Sequence, residues 1–215
     1  MKHTLLLLSI AASSMLMSAC GGANTSADEH ASEQDATNTS AESSSWTIDT
    51  ENSSIRWEGG TSGAMVYSHF GTINFKEGAL SATGDKISGG SFVVDLSTIN
   101  PQDNGYSEEH PASDLVGHLG SPDFFDIANH PTASFEVISS EGNDVNGSLT
   151  VRGITNPETI HVETMEMNPD GTMTAKGKLV FDRQKYNVKW AHYVQDVILS
   201  DNITLDFSIV AKKKG

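Results

Sequence analysis

Ile203-Thr204-Leu205-Asp206-Phe207-Ser208-Ile209 alternates without a break: each odd-numbered residue is apolar and each even-numbered one polar. A period of two sends the two sets to opposite faces of an extended chain, so this is a β-strand with one dry and one wet face. A dry face must be covered by others like it, and the sequence upstream supplies them. Ile55 and Trp57 alternate with Arg56 and Glu58, Phe92, Val94 and Leu96 with Ser91 and Asp95, and Phe135 and Val137 with Ser134 and Glu136. Leu149 and Val151 alternate with Ser148 and Thr150, and Leu179 and Phe181 with Lys178. Ile160 and Val162 alternate with His161 and Glu163 until Thr164, where Met165 and Met167 take the opposite parity. That loss of phase is the mark of a β-bulge.

Turn signals are read at Glu77-Gly78, Gly89-Gly90, Gly142-Asn143, Asn146-Gly147, Asn156-Pro157 and Pro169-Asp170-Gly171. Roughly eight strands joined by short turns make an antiparallel, all-β sheet, and with one apolar side throughout it must close on itself or form a sandwich, of which the barrel is the preferred reading. The stretch from Pro101 to Pro131 is too long for an ordinary loop. Within it, a short helical insertion is expected around residues 110–126. Ser113 or Asp114 is placed to cap a turn carrying Leu115, Val116, His118 and Leu119, followed by Ser121-Pro122-Asp123 and the Phe124-Phe125 pair. Such an insertion would cover the core or gate a ligand entrance.

Ahead of the strands, Lys2 gives a positive start, Leu5 to Ala12 an apolar run too short to span a bilayer, and Ser18-Ala19 a small pair before Cys20. This arrangement resembles the lipobox of bacterial lipoproteins, with Met17 where those sequences more often carry Leu. It implies a signal peptide over residues 1–19 and a Cys20 bearing diacylglycerol, with a further acyl chain such as palmitate on the new amino terminus. Two or more chains anchor stably where one does not. Residues 20–45 hold Asp28, Glu29, Glu33, Asp35 and Glu42 and no Lys or Arg among small polar residues. They are expected to be a disordered acidic tether of roughly 25–30 Å, leaving Trp46 to Gly215 as the folded domain. Gly21 after the cysteine points to the outer membrane, facing the periplasm. Cys20 is the one cysteine of the chain, so an internal disulfide is excluded.

The chain carries 28 Asp and Glu against 13 Lys and Arg, a net charge of −15. A nucleic-acid partner is excluded for want of a basic face, and Lys212-Lys213-Lys214 reads as a solvated terminus. The sequence holds no Gly-x-Ser-x-Gly elbow, Walker loop, dinucleotide glycine fingerprint or His-Glu-x-x-His motif. Glu109, His110, Asp114 and His118 could offer oxygen and imidazole ligands to a divalent metal, but their spacing is no compact ligand motif.

Several segments together resemble one family. Trp46-Thr47-Ile48-Asp49 and Ser53-Ser54-Ile55-Arg56-Trp57 open the match, and His69-Phe70-Gly71 continues it. His118-Leu119-Gly120-Ser121-Pro122-Asp123-Phe124-Phe125-Asp126, followed by His130-Pro131-Thr132-Ala133-Ser134-Phe135, is its most specific piece. Gly147-Ser148-Leu149-Thr150-Val151-Arg152-Gly153-Ile154-Thr155 and Phe181-Asp182-Arg183 before Tyr186 complete it. These resemble the YceI-like proteins, lipocalin-like polyisoprenoid-binding domains, over Trp46 to Ala211. The sequence departs from the pattern at Gly63-Ala64-Met65-Val66 and at Ser113-Asp114. The resemblance implies an extended eight-stranded antiparallel lipocalin-like β-barrel holding a polyisoprenoid, an isoprenoid quinone or a fatty-acid derivative in an apolar tunnel.

Elementary physics allows that function. An eight-stranded barrel is just wide enough to be filled by side chains or to hold one ligand, and Gly59, Gly71, Gly90, Gly147 and Gly177 in or beside strands leave space. Strand parity selects Phe92, Val94, Phe135, Val137, Leu149, Leu179, Phe181, Leu205 and Phe207 as the residues lining the interior and binding the lipid. The first reading is a tethered lipid carrier or store, with no enzymatic activity, no metal and no cofactor beyond the lipid. A metal-dependent enzyme using His110, Asp114 and His118 is the second, and a ligand-free envelope module filled by its own side chains the third.

Overall fold

The computed structural model describes residues 43–84 and 86–214. The expected signal peptide, Cys20 and nearly all of the expected tether lie outside them. Among the described residues the strands are β1 (Ser43–Ile48), β2 (Ser54–Gly63), β3 (Ser68–Thr83), β4 (Lys86–Pro101), β5 (Thr132–Glu141), β6 (Asp144–Val151), β7 (Ile154–Met167), β8 (Thr172–Asp182), β9 (Val197–Leu199) and β10 (Asn202–Lys213). One helix, α1 (Ala112–Gly120), and one 3₁₀ turn, Arg183–Tyr186, interrupt them.

Every neighbouring pair is antiparallel, and the ring runs β10-β8-β7-β6-β5-β4-β3-β2 and back to β10. β1 and β2 share one stave of this closed eight-stranded barrel. β1 bridges β3 and β10 through Trp46, opposite Leu80 and Lys213, while β2 bridges the same two strands farther along through Ile55, opposite Ile73 and Phe207. The break between them is held by Ser53, whose backbone partner on β10 is Val210. Because β1 begins at Ser43, folded structure starts ahead of the Trp46 boundary expected for the domain. Lys212 lies within β10 and pairs with Asp49 at 2.7 Å, so the basic tail is tied down at its start and is not simply solvated.

The alternating runs are strands, and their apolar parity faces inward. The bulge expected at Thr164 is present as a register shift between Val162 and Thr164. Four turn signals were misplaced. Glu77-Gly78, Gly89-Gly90, Asn146-Gly147 and Asn156-Pro157 all lie inside strands, whereas Gly142 and Pro169–Gly171 do lie at chain reversals. The reason is steric. A side chain at Gly78 would come within 2.7 Å of Ile48, and one at Gly147 would overlap the Phe135 ring and the Glu136 carbonyl. These glycines serve close approach across the barrel, not reversal. Pro157 stands opposite Ser148 on a stretch of β7 that precedes its pairing with β8, so its missing N–H breaks no ladder. The β6–β7 reversal is instead Arg152-Gly153, with φ of 51° and 71°, as a two-residue hairpin of the I′ type demands.

The insertion fills the interval between Pro101 and Thr132, as its length requires. Its helix starts two or three residues earlier than the capping signals suggest: Pro111 occupies the N-cap without a side-chain hydrogen bond, and Ser113 and Asp114 sit in the first turn. The Phe124 carbonyl, and that of Asn187 beyond the 3₁₀ turn, both accept from Arg152 Nη1, at 2.8 and 3.0 Å. One side chain thereby fastens both connections to the same barrel end.

Candidate functional site

The two barrel ends differ. At one, tight hairpins join β3 to β4, β5 to β6 and β7 to β8, and Trp46, Ile48, Ala82, Met173 and Ala211 are buried. None of these five borders the interior cavity, so this end is filled by side chains. At the other end lie α1, the β2–β3 turn and the long connection from β8 to β10.

Between the filled end and these connections runs a cavity of about 530 Å³ with a predominantly apolar wall. Phe92, Val94, Phe135, Val137, Leu149, Leu179, Phe181, Leu205 and Phe207 all stand on its wall, from five different strands. Parity in a closed barrel is sufficient to put them there. Cys20 lies outside the described residues. Glu109 and His110 are exposed and away from the cavity, while Asp114 and His118 reach its mouth from α1. Among the described residues, no group of three or more His, Cys, Asp or Glu is arranged to hold a metal.

The mouth is built by residues that strand alternation does not reveal. Tyr67 and His69 come from the β2–β3 turn and the start of β3; Trp190, His192 and Tyr193 come from the connection after the 3₁₀ turn. Arg183 fixes that connection. Its guanidinium is 2% exposed and donates to the carbonyls of Ser200 (2.9 Å), Val188 (2.6 Å) and Trp190 (2.9 Å) and to Asp201 Oδ1 (3.1 Å). Burial pushes its pKa down and Asp201 opposes the shift. The one sequence signal was the placement of Phe181-Asp182-Arg183 before Tyr186, which carried no indication of what the arginine holds.

His69 Nδ1 lies 2.9 Å from Asp103 Oδ2, and the Tyr106 hydroxyl donates to Asp103 Oδ1 at 2.7 Å. Burial alone would raise the Asp103 pKa. Hydrogen bonds from Tyr106, His69 and the Phe70 amide outweigh it and hold the carboxyl below the usual range. The Tyr67 hydroxyl meets His192 Nε2 at 3.1 Å, and burial raises the tyrosine's pKa. His118 stands edge-on to Trp190 (centroids 4.6 Å) and Phe124 (5.4 Å), with Nε2 buried and unpartnered. Burial lowers its pKa, with Asp123 pulling weakly the other way.

A closed antiparallel barrel of eight strands, plugged at one end and hollow above it, is lipocalin-like in architecture. The chain belongs to the YceI-like domain family, whose model matches residues 46–211. Among curated relatives, a UPF0312 protein of Pseudomonas aeruginosa is 29% identical over 105 residues, covering 47% of this chain and 51% of the relative. One from Azotobacter vinelandii is 32% identical over 96 residues, covering 42% and 46%. The chain spans about half the length of the curated relatives it matches. Among solved structures, BcnA of Burkholderia cenocepacia superposes with a TM-score of 0.58 at 21% identity, covering 77% of this chain and 99% of that one. A polyisoprenoid binding domain from Saccharophagus degradans gives 0.52 at 14% identity, covering 79% and 98%. At these identities the likeness is one of fold.

Proposed function

We propose that this domain binds a long apolar lipid, an isoprenoid or comparable chain, in the barrel interior and carries or stores it without chemical change. The apolar cavity of about 530 Å³ supports the reading, since it falls within the usual range for ligand pockets of roughly 300–1,000 Å³. The Saccharophagus degradans neighbour, a polyisoprenoid binding domain, points the same way.

The cavity also bounds the ligand. At roughly 30 Å³ per heavy atom it holds about eighteen, so a forty-carbon chain would fit only in part and would leave through the mouth. Eighteen methylenes at about 0.8 kcal/mol each give roughly 14 kcal/mol against water. That stays below the noncovalent ceiling of about 18–21 kcal/mol, whereas forty would not. A lipid leaving a membrane forgoes most of this gain, so exchange near balance is expected of a carrier.

The test is mass spectrometry of organic extracts of protein purified without detergent. One lipid per chain is the expected result. An empty barrel that takes up no added lipid would leave the ligand-free module. For the anchor, the lipobox-like Met17-Ser18-Ala19-Cys20 supports attachment to the envelope, outer membrane included, through Cys20. Cys20→Ala is expected to move the protein from the membrane pellet to the soluble fraction with its melting temperature unchanged; equal pelleting would refute the anchor.

A further inference from the structure

The polar cluster at the mouth is only half satisfied by the protein. The Val194 amide donates to His192 Nδ1 at 3.1 Å, which places the proton of the neutral ring on Nε2. That nitrogen then donates to the Tyr67 oxygen, 3.1 Å away. The Tyr67 hydroxyl proton is therefore left to donate elsewhere. At His69, Nδ1 faces Asp103 Oδ2, so Nδ1–H donates to the carboxylate. Nε2 has no hydrogen-bond partner among the described residues. It is not sealed from solvent either, and His69 borders the cavity. The Tyr67 and His69 rings lie 5.3 Å apart at 70°, and both border the cavity.

We infer that Tyr67 and His69 form a headgroup subsite for an uncharged lipid alcohol, whose oxygen accepts from the Tyr67 hydroxyl while its own O–H is given to His69 Nε2. The inference rests on the lipid-binding reading and narrows it to a class. A hydroxyl both donates and accepts, so it satisfies the imidazole whether that ring is neutral or charged. A ketone or quinone only accepts, and leaves the neutral His69 Nε2 without a donor.

Charge argues against the anionic alternatives. Phosphate and carboxylate headgroups are held by Arg, Lys or several converging donors. Here the mouth presents Asp103 behind His69 and Asp114 on α1, with no Lys or Arg among the described residues that line it. Lys176 touches the wall, but it is exposed between buried Ala175 and Gly177 and belongs to the outer face of β8. Asp103 is 8% exposed at its side chain and keeps its charge through three hydrogen bonds, so it repels an anion from close range.

The experiment uses the full-length protein freed of co-purified lipid and the neutral fluorescent probe N-phenyl-1-naphthylamine. The probe is displaced by three twenty-carbon competitors: geranylgeraniol, its monophosphate and the hydrocarbon phytane. Two hydrogen bonds should make the alcohol about tenfold tighter than the hydrocarbon, and the phosphate should be the weaker of the two polar ligands. Y67F and H69F should each erase most of the alcohol's advantage and leave phytane unchanged. Y67F keeps its ring and H69F an aromatic side chain, so both should fold, and Y67F carries the test if H69F, which also loses the bond to Asp103, melts early. A phosphate that matches the alcohol, or an advantage that survives both variants, would overturn the headgroup assignment while leaving lipid binding in place. Failure of the probe and of all three competitors to bind would sink the lipid-binding reading itself, and the subsite with it.

Discussion

Arg183 shows how one buried side chain shapes the mouth. Its hydrogen bonds to the carbonyls of Ser200, Val188 and Trp190 and to Asp201 close the connection that carries Trp190 and His192. Removing the guanidinium leaves those carbonyls without donors in a place water reaches poorly. Arg183→Ala is expected to cost about 3–5 kcal/mol in denaturant unfolding, because three carbonyls lose their charged donor at about 1–3 kcal/mol each while the half-exposed Asp201 is rescued by water. Arg183→Lys should recover part of the loss, because an ammonium cannot present the same fork. A loss below about 1 kcal/mol would mean that the carbonyls find water instead. Composition gives no hint of such a residue: in the sequence it is one of 13 basic residues, and only three-dimensional convergence distinguishes it.

At the scale of elements, helix α1 carries His118 into an apolar corner between Phe124 and Trp190. Burial lowers its folded-state pKa below the ordinary 6.5. The unfolded chain then binds a proton that the native one refuses, so stability falls as pH drops below about 6.5 and continues to fall until the folded pKa is passed. Thermal midpoints of wild type and His118→Phe measured from pH 7.5 to 4.5 should diverge in that direction, the variant losing less on acidification. Parallel curves would show that the imidazole escapes to solvent. The position of α1 was legible because thirty residues without alternation must do something other than make strands. Its start was not, since Pro111 caps it by conformation and leaves no side-chain signature. The glycine pairs misled for a related reason: the glycine that turns a chain and the glycine that lets two strands touch look alike until the neighbour across the barrel is known.

For the whole molecule, parity and closure made the wall readable, because a strand with one dry face in a closed barrel has one direction in which to point it. The mouth was unreadable, as His192 stands 125 residues beyond Tyr67 and its near neighbour His69 and meets them only when the barrel closes. Parity also cannot tell a filled interior from a hollow one. That division is a matter of level along the axis, and it yields a test with an internal control. Met173 is 1% exposed and sits in the filled end, off the cavity wall, whereas Phe207 lies on the wall beside Gly177, where any Cβ would meet its ring at 2.8 Å. Met173→Ala should cost about 2–5 kcal/mol through an empty cavity, with or without lipid. Phe207→Ala should cost a similar amount in delipidated protein but distinctly less when lipid fills the space it vacates, and the lipid that co-purifies should shift toward longer chains. Melting temperatures before and after delipidation, with the extracted lipids weighed by mass spectrometry, decide the matter. If Phe207→Ala loses as much in both states as Met173→Ala does, the hollow is never occupied, and the barrel is a structural module rather than a carrier.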